Sequence, residues 1–223
     1  MHGHVSYEDF ILQVAGFLTA YYLFVAVMNA FAALYLWQSG RAKVLLRLPG
    51  SGLAVTTAHV WLLVAGVFTI LSAYATNGGA AALSLPAAMR EAADSIMGPV
   101  VYTVGSLVLL AGLYLGRNFF VKPTVAWAGL NLSLLLMGLS MTDMDFASIV
   151  MKPDNVPIVA MIYLLGYFTW LSAYKAVQND ERTARGEVPL EKLDDEKVLV
   201  WPDLVYTELI CMIGLTALLF VWA

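Results

Sequence analysis

The chain has 223 residues, 61% of them hydrophobic and only 13% charged, and its mean hydropathy is +0.77. Soluble domains sit near roughly half apolar and a quarter charged, so this composition excludes an ordinary soluble enzyme and points to an integral membrane protein. A formal net charge of −4 gives no footing for nucleic acid as a partner, and one cysteine, Cys211, cannot build a disulfide framework or a thiolate metal site.

Six apolar segments follow one another: about 7–37, 52–76, 95–116, 123–141, 156–176 and 202–222. About 20 helical residues cross ~30 Å of hydrocarbon, and five of the segments match that length; the first is longer and is expected to tilt or emerge. The alternating polarity of a membrane barrel is missing from these continuous runs. The expected fold class is therefore an all-α integral membrane protein, a six-transmembrane-helix bundle forming one domain.

The basic residues orient it. Arg41, Lys43 and Arg47 lie in the first gap, Arg117 and Lys122 in the third, and Lys175, Arg182, Arg185, Lys192 and Lys197 in the fifth, whereas the even gaps hold only Arg90 and Lys152. Basic residues mark cytoplasmic loops, so both termini are expected on the periplasmic side of the inner (cytoplasmic) membrane. Glu8 and Asp9 replace the basic start of a cleavable signal, which makes the N-terminus the expected outer end of the first helix.

In the second gap, Asn77-Gly78-Gly79 breaks the chain, and residues 80–93 suit a short helix at the outer surface. The fourth gap carries Asp143, Asp145 and Asp154 with Pro153 and Pro157. Asp154 or Asn155 suits a cap for the fifth helix, and the three aspartates together are candidates for docking a basic partner such as a soluble electron carrier. The fifth helix, rich in helix formers after Lys175, is expected to continue to Gly186 and Pro189. Residues 178–200 then form a cytoplasmic connector, solvated over 187–197.

Within the segments, polar residues are few. His59 is read as lying about two turns from the cytoplasmic end of the second helix. It suits a haem ligand, a hydrogen bond between helices, or the wall of a quinone pocket. His2 and His4 belong to the opposite surface, so a bis-histidine haem cannot be built from this chain alone. Glu208 is read two turns into the last helix, behind Asp203. A carboxylate at that depth is a candidate proton relay or quinone-facing group, and interfacial placement beside Trp201 and Tyr206 is the plainer alternative. Asn29 and Asn131 read as hydrogen bonds between helices, and Ala30 with Ala33 and Gly105 with Gly112 as sites of close helix packing. No nucleotide loop, hydrolytic triad or metal-ligand cluster is present, and no catalytic residue is assigned.

The C-terminal third carries a family resemblance. Asn179-Asp180-Glu181-Arg182, Pro189-Leu190-Glu191, Asp194-Asp195-Glu196-Lys197 and the run from Val200-Trp201-Pro202-Asp203 to Thr207-Glu208-Leu209 resemble the start of subunit IV, the C-terminal half of cytochrome b in quinol–cytochrome c reductases of the Rieske/cytochrome b type. The match spans about residues 179–223. In that family the segment enters from the cytoplasmic side, the direction that the charge pattern assigns to the last helix here. The Pro-Glu-Trp-Tyr loop of the quinol oxidation site does not follow in this sequence, and the paired haem histidines are missing. The resemblance therefore implies a membrane subunit of a respiratory or photosynthetic electron-transfer complex, contributing packing, quinone access or docking. Its implied partners are cytochrome b, Rieske and cytochrome c type subunits and lipid, with quinone and haem b at subunit interfaces. A small transporter or channel, or a single-haem membrane anchor of a quinol dehydrogenase, are the alternatives.

Overall fold

The computed structural model describes residues 6–47, 54–96, 98–193 and 196–222. In chain order the elements are α1 (Tyr7–Gln38), β1 (Val44–Arg47), β2 (Ala54–Thr56), α2 (Thr57–Tyr74), α3 (Ala87–Ile96), α4 (Pro99–Leu115), α5 (Arg117–Phe120), α6 (Pro123–Ser140), α7 (Met144–Val150), α8 (Asn155–Ala184), α9 (Leu190–Leu193) and α10 (Val205–Trp222). Five helical stretches are long and apolar enough to cross a membrane. A sixth is reached if α3 and α4, which meet at a 97° bend, count as one span. The chain divides into two compact units, 1–173 and 174–223.

The first unit is organised by α1. Its first turn is closed by Ser6, whose Oγ accepts from the Asp9 backbone N–H at 3.1 Å. Glu8 and Asp9 sit where the helix dipole favours negative charge. At the other end Gly40, at φ +64°, takes the left-handed conformation that stops a helix. Between these ends Ile11, Val14, Leu18, Tyr22, Val25, Asn29 and Ala33 are buried. They recur every three or four residues, so they form one stripe along the helix. Against that stripe lie Phe68 of α2, Leu134, Leu135 and Leu139 of α6 and the buried Met141.

Small groups let these helices touch. Ser72 Oγ donates to the Thr19 carbonyl across the α1–α2 seam at 2.8 Å, and Tyr21 of α1 donates to the Leu134 carbonyl of α6 at 2.8 Å. Tyr22 is fully buried, and a Cβ on Gly138 would stand 2.7 Å from its hydroxyl oxygen. Gly138 is thus the notch that receives Tyr22. Among the described residues, the Tyr22 hydroxyl is the one buried side-chain polar atom with no hydrogen-bond partner.

The expected spans shift in three places. The second begins at Thr57 rather than Gly52, because Val44–Arg47 and Ala54–Thr56 pair as an antiparallel two-stranded sheet; β-branched Val55, Thr56 and Thr57 fit a pleated strand as readily as a helix start. The third is broken before Pro99, which opens α4 as its first residue, a position where the missing N–H costs nothing. The helix expected over residues 80–93 lies instead at Ala87–Ile96. The other boundaries fall close to expectation, α8 running on to Ala184. The break at 77–79 is present too, with Asn77 and Gly78 outside helical dihedrals and Gly78 at φ +81°.

In the second unit, Gly186 at φ +75° turns the chain after α8, and the return segment is tied down. The Asn179 amide donates to both Glu191 carboxylate oxygens at 3.0 and 2.8 Å, its carbonyl accepts from the Leu190 N–H at 2.9 Å, and Arg182 Nε donates to the Val188 carbonyl at 2.8 Å. The Glu191 carboxyl is held below the ordinary glutamate range by its own backbone N–H and by Asn179. The first part of the connector is therefore tied back onto the end of α8 while most of its residues stay exposed, in keeping with a solvated connector. Asp194 and Asp195 lie outside the described residues.

Because the Tyr22 hydroxyl has no partner, Tyr22→Phe is expected to leave thermal stability in detergent unchanged or raise it. Gly138→Ala, by contrast, overpacks the notch and is expected to cost about 1–3 kcal/mol. A drop of several degrees for Tyr22→Phe would show that the hydroxyl is bonded.

Candidate functional site

Four polar places stand out in the apolar scaffold: a clasp inside the first unit, a histidine corner at the start of α2, an aspartate loop between α6 and α8, and the start of α10. In the clasp, Asn29 of α1 donates from Nδ2 to Asn131 Oδ1 of α6 at 2.6 Å and to the Val25 carbonyl at 2.9 Å. Trp127 Nε1 donates back to Asn29 Oδ1 at 2.9 Å, and Asn131 Nδ2 donates to the Trp127 carbonyl at 2.9 Å. Both asparagines are buried, and each makes bonds through its oxygen and its nitrogen. Such a satisfied pair fixes the register of two helices and leaves no polar atom aimed at a ligand. The expectation of interhelical bonds from Asn29 and Asn131 thus holds, in the form of a bond between the two. Trp127, whose indole closes the clasp, carried no signal in the sequence beyond its aromatic character.

Below the clasp, Trp61 meets Trp127 edge-on at 6.5 Å, and Ala33 packs with Ala58 and Trp61. His59 follows as the third residue of α2, not two turns into a span, because the helix begins at Thr57. Its Nδ1 accepts from the Thr56 backbone N–H at 3.2 Å and lies 2.8 Å from Thr56 Oγ1, and its ring stands edge-on to Trp37 at 5.4 Å. A side chain reaching back to the N-cap N–H from the third helical position is half of a capping box. A histidine that ligates metal donates its second ring N–H to an acceptor; the Nδ1 here is itself the acceptor. His2 and His4 lie outside the described residues.

The aspartate loop is only partly open. Asp143 Oδ1 accepts from the Asp145 and Phe146 N–H groups at 3.1 and 3.0 Å, so this residue caps α7, and Asp143 Oδ2 also lies 3.8 Å from Arg90 of α3. Asp145 and Asp154 are exposed. Asn155, one of the two residues expected to cap the fifth helix, instead donates its side-chain amide to the Ile149 carbonyl at 2.7 Å. Around Arg90 and Asp143, with Ala87, Glu91 and Asp94, the surface forms a shallow hollow of about 190 Å³.

The start of α10 is built by its own residues. Asp203 Oδ2 accepts from the Leu199 N–H at 3.0 Å, and Trp201 stacks on Tyr206 at 5.9 Å. Glu208 then sits exposed in the first turn of α10, about two turns into the spanning stretch Val200–Val221 that begins with the turn before α10, as expected. Cys211 is free and exposed. Of the small residues expected at helix contacts, Ala33 is buried, whereas Gly105 and Gly112 face open space on α4, which buries no residue. Among the described residues no three His, Cys, Asp or Glu side chains converge as a metal site. His59 belongs to the first unit and Glu208 to the second.

Comparison with protein-family models, with curated proteins and with solved structures finds no match for this chain.

The capping geometry makes a direct test of His59. His59→Ala is expected to cost about 0.5–2 kcal/mol of stability, as for other lost caps, and His59→Gln, whose side chain can reach the same N–H, should recover most of it. Equal losses in both variants, read from thermal denaturation in detergent, would contradict the capping role.

Proposed function

We propose that this chain is a membrane subunit of a respiratory or photosynthetic electron-transfer complex of the quinol–cytochrome c reductase type. In this reading it lies in the cytoplasmic membrane with both termini periplasmic, and it contributes packing, quinone access or docking while haem-bearing subunits of the cytochrome b, Rieske and cytochrome c kinds carry the redox centres.

The observation that carries this reading is α10. It is an 18-residue apolar helix whose main packing partner among the described residues is the turn leading into it. Its exposed residues include Ile210, Met212, Ile213, Leu215, Leu218, Leu219 and Phe220, with one carboxylate, Glu208, at its start. A helix apolar on every side is made to be covered on every side. In a membrane the cover is lipid or another helix, and the resemblance of this same segment to subunit IV favours helices of a quinol-oxidising complex. The five or six spanning stretches support a multi-pass protein, and the ten basic residues in the odd gaps support the orientation.

Within that assembly Glu208 is assigned the proton- or quinone-facing role, because a carboxylate about two turns into a spanning stretch is costly unless it is protonated, paired or wet. His59 is assigned the cap of α2 at the quinone-accessible interface. Asp145 and Asp154 are the aspartates left for docking a basic carrier, Asp143 being committed to its cap.

The complex recovered from native membranes in mild detergent is expected to contain cytochrome subunits and to show b- and c-type bands in a reduced-minus-oxidised spectrum. Glu208→Gln in that complex should slow quinol turnover on the order of 100-fold if the carboxylate passes the proton. Full activity of the variant at every pH would reduce Glu208 to an interfacial residue, and a colourless protein recovered alone would end the electron-transfer reading.

A further inference from the structure

The hairpin between α1 and α2 has no part in the reading above, and its surface is unusual for a short sheet. Val44, Leu45 and Leu46 are 50%, 57% and 57% exposed, and they are bracketed by the exposed Arg41, Lys43 and Arg47. A regular strand would turn alternate side chains to opposite faces. Here the register slips between Val44 and Leu46, which pair with Thr56 and Val55. Such a bulge breaks the alternation, so three consecutive apolar side chains stay open. In water an open apolar strand on a two-stranded sheet invites aggregation.

The hairpin is also held in place. The Lys43 carbonyl accepts from the Thr57 N–H at 2.9 Å, and the Lys43 N–H donates to Thr57 Oγ1 at 3.1 Å, tying β1 to the first residue of α2. On the other side, Arg41 donates to the Tyr35 hydroxyl at 2.8 Å and lies over its ring. With both of its anchors at the ends of spanning helices, the hairpin is fixed at the depth where those helices leave the hydrocarbon. Apolar side chains rimmed by Arg and Lys at that depth match the boundary between acyl chains and anionic headgroups.

We propose that the β1–β2 hairpin is a membrane-interface anchor, with Val44, Leu45 and Leu46 seated among the lipid chains and Arg41, Lys43 and Arg47 binding the phosphates of anionic lipids. This site is independent of the electron-transfer reading and rests only on α1 and α2 spanning the bilayer.

The test uses the full chain reconstituted in phosphatidylcholine vesicles with or without 30% phosphatidylglycerol. A Leu45→Cys label, placed in a Cys211→Ser background, carries an environment-sensitive dye. With the anionic lipid in both leaflets, the result does not depend on orientation. In the anionic vesicles, doxyl-lipid quenching of the dye is expected to exceed aqueous iodide quenching at least threefold. The combined Arg41→Gln, Lys43→Gln and Arg47→Gln variant should return quenching to its value in phosphatidylcholine alone. Native mass spectrometry of the same samples should show fewer bound phosphatidylglycerol molecules on the variant, provided its helix content is unchanged. Iodide quenching as strong as for free dye overturns the proposal, as does doxyl quenching that is the same with and without phosphatidylglycerol. Release of the protein from vesicles by alkaline flotation would remove the spanning reading itself, whereas retention with a water-exposed label removes the lipid contact alone.

Discussion

Helices that meet inside a bilayer gain little from the hydrophobic effect, because lipid tails are as apolar as leucine; their association must come from close packing and from hydrogen bonds that lipid cannot offer. The contact of α1 with α2 and α6 is built on those terms. Tyr22 fills the notch at Gly138, the Asn29–Asn131–Trp127 clasp joins α1 to α6, and Ser72 binds the Thr19 carbonyl at the α1–α2 seam. A slide of one helix along another would break the clasp and drive Tyr22 into a side chain where glycine now stands. The position of the two loops at the ends of these helices, the hairpin on one side and the turn at 77–79 on the other, follows from that fixed contact.

Polar chemistry in this protein is spent largely on structure. The clasp asparagines are satisfied by each other and by nearby backbone, His59 is turned to the Thr56 N–H, and Asp143 closes α7. For the buried asparagines this is the expected fate of polar groups in a dry interior, where an unpaired donor or acceptor is expensive, whereas the exposed His59 and half-buried Asp143 satisfy the open N–H groups of helix starts. Among the groups that stay open are Glu208 in the first turn of α10, Asp145 in α7, Asp154 just before α8, and the basic rim of the hairpin.

Much of this was legible in the residues. The apolar runs located the spans, Asn77-Gly78-Gly79 marked a break, and isolated Asn29 and Asn131 pointed to bonds between helices. The hairpin was hidden because the apolar run from Gly52 continues without interruption into α2, and periodicity cannot separate a short strand from a helix start in such a run. The depth assigned to His59 carried the same error: moving the helix start from Gly52 to Thr57 brings the histidine into the first turn. The Asp143 cap was passed over for a different reason. Asp154 and Asn155 stand beside prolines and look like the stronger signal, but Asp143 has free N–H groups two and three residues ahead of it. Trp127 could not be tied to Asn29 from the sequence, since 98 residues separate them.

On the proposed function, α10 is covered by a haem-bearing subunit in the native membrane. Site-specific photo-crosslinking tests it most directly, with a photoreactive amino acid placed in turn at Ile210, Ile213 and Leu218 in cells and the products identified by mass spectrometry. Crosslinks to a cytochrome b type subunit are expected from at least one of these positions and are lost when the probe is moved to the exposed Glu187 of the connector. Crosslinks to lipid alone from all three positions, in membranes where the chain is intact, would contradict it.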